Sequence, residues 1–266
     1  MNKRELIAGV VLAALVAVLV LVGWLPWANA AGLAGIAGFA WLFRKEELNR
    51  WIKAGLLLLL VPLAFRVATY EPEGFAYPLL YSLAGAVGEP ARYELSIDFG
   101  KGIAGFILLY LLWPKLRANE FVAGRLPSVL LLLLAPALII GVAIPLLDLH
   151  FQPKAIEQIV QFAVVNLLVT CVAEEVFMRV LFQQNLRTAV ASLTANRALQ
   201  ECIPLLLVTA IFVAIHSGIG GAAIWLYALA GFLYGLSYTL SKNILYPITV
   251  HFLVNLIHFS FLTYPY

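Results

Sequence analysis

Residues 170–186 read TCVAEEVFMRVLFQQNL, and they set Glu174, Glu175 and Arg179 inside an otherwise apolar run. An ionisable group at the centre of a membrane helix costs about 2.5–3.5 kcal/mol on insertion scales, so three of them close together need a reason. Glu175 and Arg179 stand four residues apart and can pair on one helix face. That leaves Glu174, about 100° further round the helix, without a cation nearby in sequence. Two more runs carry chemistry. FVAIHSGIGG places His216 four residues after Phe212, and HFLVNLIHF places His251 and Asn255 on one face, with His258 seven residues beyond His251.

A carboxylate and a neutral imidazole can hold and deprotonate a water. A second imidazole and a carboxamide can donate to a developing oxyanion. Together these groups can hydrolyse an amide without a covalent intermediate. Ser217 follows His216, but no GxSxG surrounds it, and Cys171 reads as a small packing residue one turn before Glu174. Other readings of the same residues stand beside this one. Glu174, Glu175 and Arg179 can form a buried ion network that holds helices together. Glu174, His216 and His251 can form a two-histidine, one-carboxylate zinc site with an open position, although HExxH is absent and Asn255 is a poor zinc ligand. Intramembrane Glu, Arg and His also build proton relays in transporters, but no inverted repeat or matched pair of broken helices is visible.

The elements that must position these residues are membrane spans. Hydrophobic residues make up 63% of the 266-residue chain, charged residues 12%, and the mean hydropathy is +0.96. Soluble domains carry about 25% charged residues, so this chain cannot furnish a soluble surface. The expected fold is an all-α, polytopic transmembrane bundle of eight to nine spans. The candidates are Leu6–Leu25, Ala28–Phe43, Trp51–Tyr70, Ile103–Trp113, Ser128–Leu147, Ile159–Leu186, Ile203–His216, Ala222–Leu240 and Leu245–Thr263. The first ends in Trp24, Pro26 and Trp27, an interfacial belt that marks it as an uncleaved span. Tyr77–Val87 is apolar but short, and is expected in the interface or as a re-entrant segment.

With the N-terminus inside, twelve of the seventeen Lys and Arg residues fall on the cytoplasmic side of the nine spans. Arg92, Lys101 and Lys154 fall in loops on the opposite side, with Arg66 near a helix end, among Glu71, Glu73, Glu89, Glu94, Asp98 and Asp148. This bias predicts a cytoplasmic N-terminus and an external C-terminus. The basic clusters are thus topology determinants, and no nucleic-acid partner is expected. Cys171 and Cys202 form no CxxC pair or zinc-ribbon spacing. At 1.5 Å per residue, Glu174 lies roughly 15–24 Å from the outer end of its span, His216 roughly 20 Å from its inner end, and His251 and Asn255 roughly 9–15 Å from theirs. The four are therefore expected to converge near the midplane.

EEVFMR, FVAIH and HFLVN, in that order and each in its own span, resemble the EExxxR, FxxxH and HxxxN/D motifs of the CPBP intramembrane proteases, relatives of the type II CAAX prenyl protease. The resemblance covers about residues 156–266, and gives a catalytic helical core there behind N-terminal helices, residues 1–155, of unassigned role. It implies that Glu174 is the general base, that His216 helps to orient the water, that His251 and Asn255 form the oxyanion hole, and that Glu175 and Arg179 support them. It implies no cofactor, with zinc as the alternative, and a partner set of membrane lipid and a membrane-tethered or lipidated protein tail. A prokaryotic plasma membrane suits the charge bias. His258 lies outside the motif pattern.

Overall fold

A computed structural model of the chain describes residues 3–83, 93–118, 126–216 and 221–264. Nine helices fill most of this length. They are α1 (Lys3–Leu21), α2 (Trp27–Phe43), α3 (Arg50–Thr69), α4 (Phe99–Ala118), α5 (Leu126–Leu146), α6 (Ile156–Ala191), α7 (Arg197–Ile215), α8 (Ala223–Ser241) and α9 (Leu245–Phe261). α3, α5, α6, α7 and α8 are long and apolar enough to cross a membrane, and α1, α2, α4 and α9 carry shorter apolar stretches. The fold is the expected all-α polytopic bundle.

Local chemistry sets the helix starts. The Asn49 side chain accepts from the backbone of Trp51 and Ile52 at α3, and Asn196 does the same for Ala198 and Leu199 at α7. Asp98 accepts from the Lys101 amide at 2.9 Å, which fixes the first turn of α4. Pro62, Pro136, Pro145 and Pro204 sit inside helices, which packing by neighbouring helices allows in a membrane bundle.

α6 is the central element. One apolar core joins α1, α2, α3 and α4 to one face of its middle (Cys171, Val172, Val176, Val180, Leu181), and a second joins α5, α7, α8 and α9 to it around Met178. α5 packs on α8 and α9 although it precedes residue 155. α6 is also irregular. It is wound as π-helix over Asn166–Cys171 and again over Val176–Gln183, and Val172–Glu175 forms a single α-helical turn between them. Such wide turns change which way the following side chains face and recur at functional sites.

Two expectations are corrected. Part of the Tyr77–Val87 segment is a strand, β1 (Leu79–Leu83), paired antiparallel with β2 (Tyr93–Ser96) so that Leu83 faces Tyr93 and Leu79 faces Ser96. Its Leu95 is buried against Phe162 and Phe259, whose rings stack at 4.0 Å. A hairpin satisfies its own backbone, which a lone re-entrant strand could not do in lipid. Lys101, expected in a loop, lies in the first turn of α4. The hairpin end of the bundle carries Glu71, Glu73, Glu94, Asp98 and Asp148. The opposite end carries Arg44, Lys45, Arg50, Lys53, Arg187, Arg197 and Lys242. Glu89, Arg92, Arg125 and Ser217 lie outside the described residues, as do the side chains of Lys115 and Arg117.

Candidate active site

Glu174 and Glu175 are neighbours in sequence with different partners. Glu175 is fully buried and bridges two helices. Its Oε2 accepts from Arg179 Nε at 2.8 Å, and its Oε1 lies 2.9 Å from Nδ1 of His251 on α9. Arg179 is also fully buried and donates through Nη1 to Gln183 Oε1 at 3.1 Å. Gln183 in turn donates to the Gly235 carbonyl and the Thr239 hydroxyl on α8. The supporting pair expected from its spacing therefore forms, and it extends to three helices.

Glu174 turns the other way. Its Oε1 receives the ammonium of Lys101 from α4 at 2.6 Å, and both side chains keep 23% of their surface accessible. This cation was not legible near Glu174 in the sequence, because it comes from a helix 73 residues away. Close contact between α4 and α6 makes it possible. A Cβ at Gly105 would lie only 2.6 Å from Ala173 Cα, so glycine is required where the two backbones meet beside Glu174.

The two histidines are held alike. His216 Nδ1 lies 2.8 Å from the Phe212 carbonyl, which can only accept, so Nδ1 carries the proton. The His216 ring stacks on Tyr227 at 4.6 Å and 15°. The His251 ring stacks on Tyr234 at 4.6 Å and 16°. Tyr227 and Tyr234 stand seven residues apart on one face of α8, so a single helix supplies both platforms. That i, i+7 spacing was the sequence signal for them, hidden among ordinary apolar residues. Phe212 sits against α8 where a Cβ at Gly231 would lie 2.8 Å from its ring. The Phe of the FxxxH run thus anchors α7 to α8 and holds His216 through its carbonyl.

Glu174, His216, His251 and Asn255 all line one cavity of about 410 Å³. Its wall also includes Asn166, Thr170, Tyr227, Tyr234 and, towards the hairpin end, Tyr93, His258 and Tyr264. The convergence predicted for the four is present. Lys101 lies in the first turn of α4 and His216 caps the end of α7, both at the hairpin end of their helices. α7 begins at Arg197, earlier than expected from its apolar run. His258 lines the cavity with its Nε2 3.2 Å from the Thr263 carbonyl. Glu174 and His216 also border a smaller cavity of about 120 Å³ on the side of α3 and α4, lined mainly by Ala64, Phe65, Ala104 and Phe177.

The zinc alternative fits poorly. Among the described residues no group of three or more His, Cys, Asp or Glu side chains could hold a metal ion. An ammonium already occupies one oxygen of the carboxylate such a site would use. Cys171 is fully buried and donates to Asn166 Oδ1 at 3.1 Å, in keeping with a packing role.

A cavity inside an apolar helical bundle, walled in part by a carboxylate, two oriented imidazoles and a carboxamide, has the groups that hydrolysis of an amide needs. Residues 156–257 match the family described as type II CAAX prenyl endopeptidase, Rce1-like. Over this segment, well under half of its length, the chain is similar to that family. No curated relative and no solved structure matches the chain.

Proposed function

We propose that the chain is an intramembrane endopeptidase that cleaves near the C-terminal tail of a membrane-tethered or lipidated protein, using a water activated by Glu174. The observation that carries the reading is the meeting of Glu174, His216, His251 and Asn255 on one cavity wall. Lys101 occupies Oε1 of Glu174, which leaves Oε2 to hold the water, with Nε2 of His216 as a second acceptor. As the water oxygen attacks the peptide carbonyl carbon, Glu174 takes its proton and later passes it to the leaving amine. The oxyanion is received by the Asn255 amide and by His251 Nε2–H. In this role His251 donates from both nitrogens, Nδ1–H to Glu175 at 2.9 Å and Nε2–H to the oxyanion, and so acts as an imidazolium. No metal takes part, residues 156–266 carry the catalytic core, and the N-terminus is cytoplasmic.

The bond between Glu175 and His251 Nδ1 also supports a second reading. A neutral His251, held in one tautomer by Glu175, presents Nε2 as the base, and Glu174 then serves only electrostatics. Purified wild type, Glu174→Gln and Glu175→Gln, assayed in detergent against a panel of lipidated and transmembrane tails with chelator present, separate the two. Loss in Glu174→Gln with the fold retained supports the first reading. Activity retained there but lost in Glu175→Gln supports the second. Loss on chelation restored by zinc would remove both, and a protein that cleaves nothing while folded would favour a transporter or scaffold.

A further inference from the structure

Lys101 lies outside residues 156–257, on a helix from the part of the chain whose role was unassigned. Three contacts fix it. Asp98 Oδ1 holds its amide at 2.9 Å, α4 meets α6 backbone to backbone at Gly105 and Ala173, and its ammonium reaches Glu174 at 2.6 Å. Asn29 of α2 donates to the Val67 carbonyl of α3 and to the Tyr70 carbonyl just past its end, and a Cβ at Gly100 would lie 2.9 Å from its amide nitrogen. The start of α4 is therefore wedged against α2 and α3 as well. Among the described residues the titratable groups that interact with Glu174 are Lys101 from α4, His216 from α7, Tyr234 from α8, His251 from α9, and Cys171 from its own helix. Of these only Lys101 carries an obligatory positive charge and contacts the carboxylate directly.

We propose that Lys101 is a positioning residue of the reaction: its ammonium aims the Glu174 carboxylate, so the N-terminal helices complete a site that the C-terminal segment does not complete alone. The proposal rests on the reading of Glu174 as the base. A fixed charge on one oxygen presents the other to the cavity in a single orientation, and misplacement of a reacting group by about 1 Å can cost 10²-fold. Removing Lys101 should therefore lower kcat and leave KM nearly unchanged, because the ammonium does not bind the tail.

The test uses the full chain with the exposed Cys202 changed to Ser; Cys171 is buried. Lys101→Cys should lose about 10²-fold in kcat with KM within about threefold. Alkylation with 2-bromoethylamine, in which the thiolate displaces bromide, rebuilds an ammonium of nearly the same reach and should restore at least tenfold. A loss that alkylation does not reverse, or no loss, overturns the proposal. Full activity in Glu174→Gln would instead overturn the reading on which it rests. A measurement without turnover covers a variant that cleaves nothing. Dicyclohexylcarbodiimide activates a carboxylic acid and an adjacent amine then displaces the urea, so wild type should yield an amide between Lys101 and Glu174 with net loss of one water. Lys101→Met should give only the N-acylurea on Glu174, because no amine is in reach to displace the urea. Equal Glu174 labelling in both proteins, without the cross-link, refutes the pairing.

Discussion

Breaking the Glu175–Arg179 pair should cost far more than breaking a surface ion pair, and the structure sets the scale. Both side chains are fully buried, with Nε and Oε2 2.8 Å apart. At an effective dielectric of about 20 the gross attraction at that distance is about 6 kcal/mol. Desolvation of both ions offsets much of this, so the net worth of the pair is small. Removing one partner is different, because it strands the other charge where water cannot reach; such losses run to about 3–5 kcal/mol. Arg179→Met leaves Glu175 with His251 alone. Glu175→Leu leaves Arg179, whose Nη2 already lacks a partner among the described residues, without its counter-ion.

Each single variant should therefore lose about 3–5 kcal/mol. The double variant Glu175→Leu/Arg179→Met should lose much less than the sum. Its remaining cost is that of His251 Nδ1 and Gln183 Oε1 left unpaired, about 1–3 kcal/mol each. The coupling measured by the cycle should then be roughly 2–3 kcal/mol or more. Reversible unfolding in mixed micelles with increasing SDS, followed by far-UV circular dichroism, measures all four proteins. Single variants that each cost under about 1 kcal/mol would refute the reasoning, since that is the range of hydrated surface pairs.

Three further outcomes are expected. Gly105→Val places side-chain atoms against the Ala173 backbone and should cost about 1–3 kcal/mol through overpacking; the same micelle titration reads the loss, and the Lys101–Glu174 cross-link should weaken with it. Tyr234→Leu removes the ring under His251 and should lower kcat by roughly tenfold with the fold intact, about 1.4 kcal/mol of lost orientation; unchanged kinetics would show that Glu175 alone orients the imidazole. Burial pushes the Asp98 carboxyl above its ordinary value, although the Lys101 amide and ammonium pull against it. A carboxyl raised in the folded state adds stability that is fully present below its unfolded value and is lost as pH rises through the folded one. Asp98→Asn keeps the cap acceptor without the charge, so it should match or exceed wild type in stability near neutral pH and fall relative to it in acid, as micelle unfolding at several pH values will show.

The spans, the Glu175–Arg179 pair and the shared face of His251 and Asn255 were legible because each is a local feature: apolar run length or a spacing of four residues. What the sequence concealed depends on contacts between helices or on departures from ideal winding. The π-helical turns on either side of Val172–Glu175 have no compositional mark, yet they help turn the two carboxylates to different partners. Tyr227 and Tyr234 look like any aromatic residues of a membrane helix until His216 and His251 are found on their rings. The β1–β2 hairpin was hidden because Leu79–Leu83 is apolar enough to read as an interfacial segment, and its pairing partner is a separate strand.

Lys101 is the instructive omission, because physical bookkeeping pointed to it without locating it. Glu174, Glu175 and Arg179 would together cost about 7.5–10.5 kcal/mol if each stood alone at the centre. Pairing Glu175 with Arg179 accounts for two of them and leaves Glu174 as an isolated carboxylate, which an apolar bundle can hold only by neutralising it or supplying a cation. A general base must be ionised, so the catalytic reading itself requires a cation from another helix. The GKGIAG run of residues 100–105 has the composition for that task, since small residues let two backbones touch and so shorten the distance a lysine must span. With Lys101 in place each carboxylate has a cation, one pair sealed and structural, the other partly accessible, with both partners bordering the smaller cavity and Glu174 also in the wall of the larger one. That division explains how adjacent glutamates on one helix can serve stability and chemistry separately.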